Sequence, residues 1–222
     1  MNSRIKQKIK KGSRTVSSRR WLERQLNDPY VKAAKDHGFR SRAAYKLLEI
    51  DEKFKIFKNK TSVLDLGGAP GGWSQVAVKK NSKIKNHKVI AVDIQDMEPI
   101  YGVNFIKGNI LDNDIVENIQ VVLDGKVDIV LSDMAPSASG HRTTDQTRAI
   151  LLAEMALNIA VYFLNDKGNF CCKLIRGKGE EELVKNMRKH FKIIKRFKPA
   201  SSRKDSSEIF LIGLNFIHQD LA

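Results

Sequence analysis

Short apolar runs alternate along this chain with segments whose apolar positions recur at helical spacing. The runs predict seven strands, at 62–66, 88–92, 103–106, 127–132, 169–175, 191–197 and 208–216. Between them the pattern predicts helices at 73–80, 114–122, 146–164 and 179–190, and before them helices at 21–36 and 42–50, the second capped by Ser41. Strands that alternate with helices indicate an α/β fold with a mostly parallel sheet. No helix pattern separates the last two strands, which suits an antiparallel hairpin at the sheet edge.

The first strand leads directly into six small or turn-forming residues, at 67–72, and then Trp73. Because these residues have small side chains or none, their backbone N–H groups can approach a ligand closely. The loop also lies at the sheet edge where α/β proteins bind nucleotides. The loop has neither the spacing of a dinucleotide fingerprint nor the Lys-Ser/Thr pair of a phosphate loop. It therefore predicts an adenosine-containing ligand without a polyphosphate cradle.

Asp93 ends the second strand, where an acid commonly accepts hydrogen bonds from ribose hydroxyls. Such a residue can also be an ordinary helix N-cap or turn residue. Its position after the glycine loop favours the ribose role.

The net charge of +15 has its most one-sided stretch in residues 1–20, which are rich in Lys and Arg and contain no acid. This segment is predicted to be a flexible tail that binds a polyanion such as RNA, and 21–222 to form a single domain. A tail that only aids solubility and an organellar transit peptide are the alternatives.

The only cysteines, Cys171 and Cys172, are adjacent in a predicted strand, so they point to opposite faces and favour buried thiols over a disulfide. No zinc-ligand spacing is present, so we expect no metal. No apolar run is long enough to cross a membrane, and no secretory signal begins the chain. We therefore expect a cytoplasmic protein that does not bind membranes, with a monomer as the default state.

Several motifs together resemble the FtsJ/RrmJ (RlmE) family of RNA ribose 2′-O-methyltransferases that use S-adenosylmethionine. They are the strings at 18–22, 40–47, 65–73, 133–136 and 201–203, with Asp93 and Glu208. The resemblance implies a Rossmann-like class I methyltransferase fold with helices on both faces of the sheet. The short basic front looks most like the bacterial type, which methylates a uridine of large-subunit rRNA. The 50S subunit is then the expected partner, while tRNA and organellar rRNA enzymes of the family remain alternatives.

Removal of a hydroxyl proton requires a base, and lysine can serve where burial or a neighbouring positive charge favours its neutral form. The family resemblance implies a catalytic tetrad of Lys46, Asp133, Lys173 and Glu208. Lys173 is the predicted general base with Lys46 as its neighbouring charge, Asp133 orients Lys173, and Glu208 positions the lysines and the ribose.

The same resemblance implies cofactor contacts from Gly71, Trp73, Asp93, Asn109 and Asp133. Asn109 stands where the family has an acid near adenine; its carbonyl can still accept a hydrogen bond, and Asp112 could compensate. Arg40, Arg42, Arg203 and Lys204 are predicted to contact RNA phosphates. The segment 141–144 is predicted to be a mobile loop over the site.

Methylation of a base and RNA binding without catalysis are the two rival functions. Exocyclic-amine methylation is disfavoured because the string at 133–137 has no aromatic residue to stack a base, and pyrimidine-carbon methylation because neither cysteine lies on a loop. The non-enzyme alternative is a ribosome-assembly protein that binds RNA on the same fold.

Overall fold

The computed structural model describes residues 16–58, 60, 62–82, 87–112 and 114–218, and one seven-stranded sheet forms its centre. The strands are β1 (Ser62–Leu66), β2 (Lys88–Asp93), β3 (Val103–Lys107), β4 (Val127–Ser132), β5 (Leu164–Ile175), β6 (Phe191–Phe197) and β7 (Glu208–Phe216). Their order is β3-β2-β1-β4-β5-β7-β6. β1 to β5 are parallel, and β7 runs antiparallel to β5 and β6. The predicted fold class and the C-terminal antiparallel hairpin are therefore confirmed.

Helices cover both faces of the sheet, as predicted. The described helices are α1 (Val16–Leu26), α2 (Pro29–Asp36), α3 (Ala43–Phe54), α4 (Gly72–Asn81), α5 (Ile115–Leu123), α6 (Arg142–Phe163) and α7 (Glu180–His190), of which α3 to α7 pack on the sheet. One apolar core joins α5, α6 and α7 to the sheet, and a second joins α3 and α4 to its other face. Successive side chains of a strand point to opposite faces of the sheet, so Leu64 packs in the first core and Val63 in the second.

The two cysteines follow this alternation. Cys171 is buried in the α3–α4 core and Cys172 in the core on the opposite face, and both are free thiols, as predicted. Burial raises the pKa of the Cys172 thiol to about 12, so it remains protonated near neutral pH.

The single helix predicted at 21–36 is wrong, because the structure has two helices there. Pro29 has no N–H to continue a helix, and it occupies the first turn of α2 instead. The Asp28 carboxylate caps α2 by accepting the N–H of Tyr30 at 3.0 Å. α1 already begins at Val16, within the segment predicted as a tail, and residues 1–15 of that segment lie outside the described residues.

Three further boundaries differ from the prediction. Ser41 is not the cap of α3, since Arg42 occupies that position without a side-chain bond. The segment 141–144 is not a loop: α6 begins at Arg142, and Asp145 in its first turn accepts the Ser139 N–H at 2.9 Å and hydroxyl at 2.7 Å. β5 begins at Leu164, where polar residues hide the strand pattern and the register with β4 shifts.

Candidate active site

Three neighbouring parallel strands bring the predicted site residues to one edge of the sheet. Leu66, the last residue of β1, pairs with Val92 on one side and Ser132 on the other. The glycine loop after β1 therefore lies between Asp93 at the end of β2 and Asp133 just after β4. Parallel strands thus bring three separate sequence motifs together at their carboxyl ends.

The glycine loop has a backbone that glycine alone accepts easily. Gly67 has a φ of +75° and Gly71 a φ of +108°. A Cβ on Gly67 would lie 2.6 Å from Met134 Cγ, and one on Gly71 would lie 2.4 Å from Ile100 Cδ1. The loop is therefore closely packed, and a side chain at either position would have to displace Met134 or Ile100.

A cavity of about 230 Å³ opens beside this loop, and Gly67, Ala69, Asp93, Asn109, Asp133 and Met134 are among the residues that line it. The Asp93 carboxylate accepts the N–H of Ala69 at 2.9 Å and that of Gln95 at 2.8 Å, which fixes its orientation. The side-chain oxygen of Asn109 accepts the Leu111 N–H at 3.1 Å and keeps a second lone pair. Three of the five predicted cofactor residues are thus brought together here.

Gly71 and Trp73 are not among the residues that line this cavity. The Trp73 side chain is 2% exposed, its indole N–H donates to the Ala43 carbonyl at 2.8 Å, and its ring packs against Phe210. Any cofactor contact of these two residues would therefore be made through the backbone at the start of α4. Asp112, the suggested substitute acid, also does not line the cavity.

The four residues of the predicted tetrad come together from four separate elements. Lys173 Nζ lies 3.0 Å from Asp133 Oδ1 and also donates to the Asp133 carbonyl oxygen. Lys46 Nζ lies 2.9 Å from Glu208 and 3.9 Å from the same Asp133 oxygen. Their side chains are only 10% to 16% exposed, so these ion pairs are weakly screened by water.

The turn before β7 positions Glu208, and the sequence analysis missed the residues that hold it. Ser202 donates its hydroxyl to Glu208 at 2.8 Å. The Glu49 carboxylate on α3 accepts the N–H of Ala200 at 2.5 Å and that of Ser201 at 2.9 Å. α3, which carries Lys46, therefore also anchors the turn that presents Glu208.

Arg40 was predicted to contact an RNA phosphate, but its guanidinium group is occupied by backbone carbonyls. Its guanidinium donates to the carbonyl of Pro70 in the glycine loop at 3.3 Å. It also donates to the carbonyls of Glu98 at 2.5 Å and Pro99 at 2.8 Å, in the segment after β2. Arg40 therefore joins two segments beside the cofactor cavity, a role that the sequence analysis did not predict.

Arg42 and Arg203, in contrast, lie on the other side of the tetrad. With Lys46 and Glu208 they line a cavity of about 270 Å³. Their Nε atoms lie 3.1 Å and 3.6 Å from Asp28 Oδ2, so one buried carboxylate orients both guanidinium groups. This leaves a net positive charge beside the tetrad, where the predicted phosphate contacts require it, and Lys204 is exposed nearby in sequence.

Asp65 is a buried acid beneath the glycine loop for which the sequence analysis predicted no role. It is fully buried near the end of β1, accepts the Ser74 hydroxyl at 2.6 Å, and lies close below Gly68. Burial raises its pKa to about 7, against the lowering effect of the Ser74 bond and with smaller contributions from Asp133 and Asp93. The carboxyl is therefore partly protonated near neutral pH.

In the part of the chain that the structure describes, no three His, Cys, Asp or Glu side chains are grouped as a metal site. No helix within the same residues combines the length and the apolar character of a membrane span.

Known proteins match this chain over most of its length. The model of the FtsJ-like methyltransferase family matches residues 39–216. Ribosomal RNA large subunit methyltransferases E of Rickettsia akari and Rickettsia bellii are 51% identical over 205 residues and 53% over 206, covering 91% of this chain and 90% of each relative. A solved structure of a ribosomal RNA methyltransferase from Plasmodium falciparum superposes with a TM-score of 0.73 at 32% identity, covering 82% of this chain and 100% of that one. The protein therefore belongs to the FtsJ-like methyltransferase family, as its motifs predicted.

Proposed function

We propose that this protein transfers a methyl group from S-adenosylmethionine to the ribose 2′-hydroxyl of a uridine in large-subunit rRNA. The observation that carries the proposal is the buried cluster of Lys46, Asp133, Lys173 and Glu208 next to the cavity. The names of the Rickettsia relatives support the choice of large-subunit rRNA. The net charge of +15 suits this polyanionic partner. We further propose the 50S subunit as substrate, a role in ribosome maturation, and a cytoplasmic monomer as the active form.

The residues of the cavity suit S-adenosylmethionine. Asp93, already oriented by two backbone amides, would accept hydrogen bonds from the ribose hydroxyls of the cofactor. Asn109 would contact the adenine, and Trp73 would offer its backbone amide, since the first N–H groups of a helix have no partner within it. The Gly71 N–H already donates to the Gly68 carbonyl at 2.6 Å, so Gly71 would shape the loop around the cofactor. The carboxylate of Asp133 provides negative charge suited to the cationic end of the cofactor.

The reaction needs a base placed beside the methyl donor. When bound, S-adenosylmethionine supplies an electrophilic methyl group attached to a sulfonium sulfur. Lys173, in its neutral form, would accept the hydroxyl proton on Nζ as the ribose oxygen bonds to the methyl carbon and the carbon–sulfur bond breaks. Asp133 would hold Lys173 in place through the 3.0 Å contact.

The other two members of the cluster would act on this pair. Lys46 shares the Asp133 oxygen with Lys173, so its positive charge lies next to the proposed base. Glu208 holds Lys46 at 2.9 Å and is itself fixed by Ser202, so it would also be available to orient the ribose. Fixed geometry of this kind is what an in-line displacement requires.

The decisive experiment uses S-adenosylmethionine labelled in the methyl group and 50S subunits that lack methylation by this enzyme. Wild type, Lys173→Ala and the control Lys58→Ala, an exposed lysine, are compared, and the RNA is digested to nucleosides. We expect label on the ribose of a uridine with wild type and Lys58→Ala, and little with Lys173→Ala.

Each other outcome would contradict a different part of the proposal. Label on a nucleobase would refute ribose methylation. Label on tRNA but not on 50S subunits would retain the chemistry and change the substrate. RNA binding that is unaffected by the cofactor and yields no product would indicate an assembly protein.

A further inference from the structure

A second basic region lies on the last part of α7 and on β6. Residues 183–198 contain seven Lys and Arg side chains and no acid. All seven side chains are exposed: Lys185, Arg188, Lys189, Lys192, Lys195, Arg196 and Lys198. None of them was assigned a role by the motifs or by the tetrad. We call these seven residues the edge strip.

Acids just before this region neutralise only part of the edge strip. Glu180 and Glu181 hold Arg196 at 2.8 Å and 2.5 Å, and Glu182 lies 4.0 Å from Lys185. Within the residues that the structure describes, no ion pair involves Arg188, Lys192 or Lys195. Three cations are thus left without a carboxylate partner, although charges on a surface are commonly distributed so that signs alternate.

These three cations surround one concave surface. With parts of Val184 and Ile194 they line a cavity of about 400 Å³ between α7 and β6. The apolar residues beneath belong to the core, so the floor is rigid and the charges face outward. A rigid concave surface with exposed ammonium and guanidinium groups around it suits a phosphate backbone more than an apolar ligand.

The edge strip is connected in space to the active site. β6 is the outermost strand, and its final residue, Phe197, pairs with Phe210, two residues after Glu208. Lys198 donates to the Ser206 carbonyl at 2.6 Å, in the turn that presents Glu208. From there β6 extends over about 23 Å, at roughly 3.3 Å per residue, toward the opposite end of the sheet.

We infer that the edge strip binds the phosphate backbone of the RNA outside the target nucleotide, with Arg188, Lys192 and Lys195 making the contacts. The inference rests on the proposed RNA substrate. It extends the RNA contact surface from the tetrad around the open edge of the sheet. Phosphate contacts recognise the shape of the RNA backbone and not the base sequence. This mode of binding suits a folded rRNA, whose backbone is accessible.

Lysines on an edge strand have another known use, which is to prevent pairing with the strand of a second molecule. The two roles differ in what removal of the charges changes. Loss of a phosphate contact weakens RNA binding and lowers its salt dependence, whereas loss of edge protection produces association of the protein.

The test is the triple variant Arg188→Gln/Lys192→Gln/Lys195→Gln, compared with Lys55→Gln/Lys58→Gln/Lys167→Gln. The control removes the same charge from three exposed lysines away from the edge strip. Binding of each full-length protein to unmodified large-subunit rRNA transcript is measured between 50 and 300 mM salt, with size-exclusion chromatography of the protein alone.

For the edge-strip variant we expect affinity about tenfold or more lower at 100 mM salt and a log–log salt slope smaller by about 2 to 3. The control variant should change affinity by less than about twofold, because distant surface charges are screened. Methylation at saturating rRNA should keep the wild-type rate, since the tetrad is untouched. Equal binding by the two variants, with or without association of the edge-strip variant, would overturn the inference.

Failure of the proposed function would look different. If wild type bound rRNA but methylated no ribose, the reaction would be wrong, while the comparison of the two triple variants would still show whether the edge strip contacts RNA.

Discussion

The two sides of Asp133 are built in different ways. The cofactor side is made mainly of backbone: positive-φ glycines, amides that orient Asp93, and carbonyls held by Arg40. The tetrad side is made of charged side chains from four elements that are far apart in sequence. Cofactor binding should therefore depend on conformation, and chemistry on the charge network. Substitutions on the two sides are expected to separate binding from the methyl-transfer step.

The largest effect is expected on the tetrad side. Lys173→Met removes the proposed base while keeping a long unbranched side chain, so the single-turnover methylation rate should fall about 10²- to 10⁴-fold. The dissociation constant for S-adenosylmethionine, measured by calorimetry, should stay within about threefold, because Lys173 does not line that cavity. Lys178→Met, an exposed lysine shortly after β5, is the control. If Lys173→Met also lost cofactor affinity, cofactor binding and methyl transfer would not depend on separate sides of Asp133.

On the cofactor side, the buried Asp65 should make stability depend on pH. Its pKa is about 7 in the folded chain and near 3.8 in the unfolded chain, so the folded protein binds a proton that the unfolded chain releases. The stabilisation from this proton is complete below about pH 4 and is lost as pH rises to about 7, by on the order of 4 kcal/mol in total.

Asp65→Asn removes this dependence. The difference in unfolding free energy between wild type and variant, from urea titrations at pH 4 to 8, should therefore fall with rising pH. Ser74→Ala should extend the fall to higher pH, because the Ser74 hydrogen bond lowers the pKa of Asp65. A difference that is constant with pH would mean that Asp65 has no raised pKa.

A smaller effect is expected from the backbone of the glycine loop. Gly67→Ala places a Cβ at a φ of +75° and within 2.6 Å of Met134. We expect a loss of about 1–2 kcal/mol of unfolding free energy from the backbone conformation, and about tenfold weaker cofactor binding from the displaced loop. Gly38→Ala is a matched control, since Gly38 has a φ of +72° with open space around it. If both variants lost cofactor affinity equally, the clash at Met134 would not be the cause.

The same contrast explains how much the sequence could predict. Strand–loop junctions such as Leu66-Gly67 are local patterns, so they located the sheet edge and the glycine loop correctly. The ion pair of Lys46 with Glu208 joins residues 162 positions apart, and only the family resemblance could bring them together. Arg40 and Arg42 differ by two residues in one motif, yet only three-dimensional contacts show that one holds loops and the other faces the tetrad. Neither charge nor spacing shows which partners hold each arginine: backbone carbonyls for Arg40, and the Asp28 carboxylate for Arg42.

Arg40 gives the smallest and most specific prediction. If its three carbonyl bonds hold the loops beside the cofactor cavity, Arg40→Ala should raise KM for S-adenosylmethionine by about three- to tenfold, within the range of one or two exposed hydrogen bonds. Affinity for rRNA should remain nearly unchanged, whereas Arg42→Ala should weaken rRNA binding with little effect on that KM. Arg40→Lys retains the charge without the planar fork that spans several carbonyls, so it should behave as Arg40→Ala does. Recovery of function by lysine, together with loss of rRNA affinity in Arg40→Ala, would instead make Arg40 a phosphate contact.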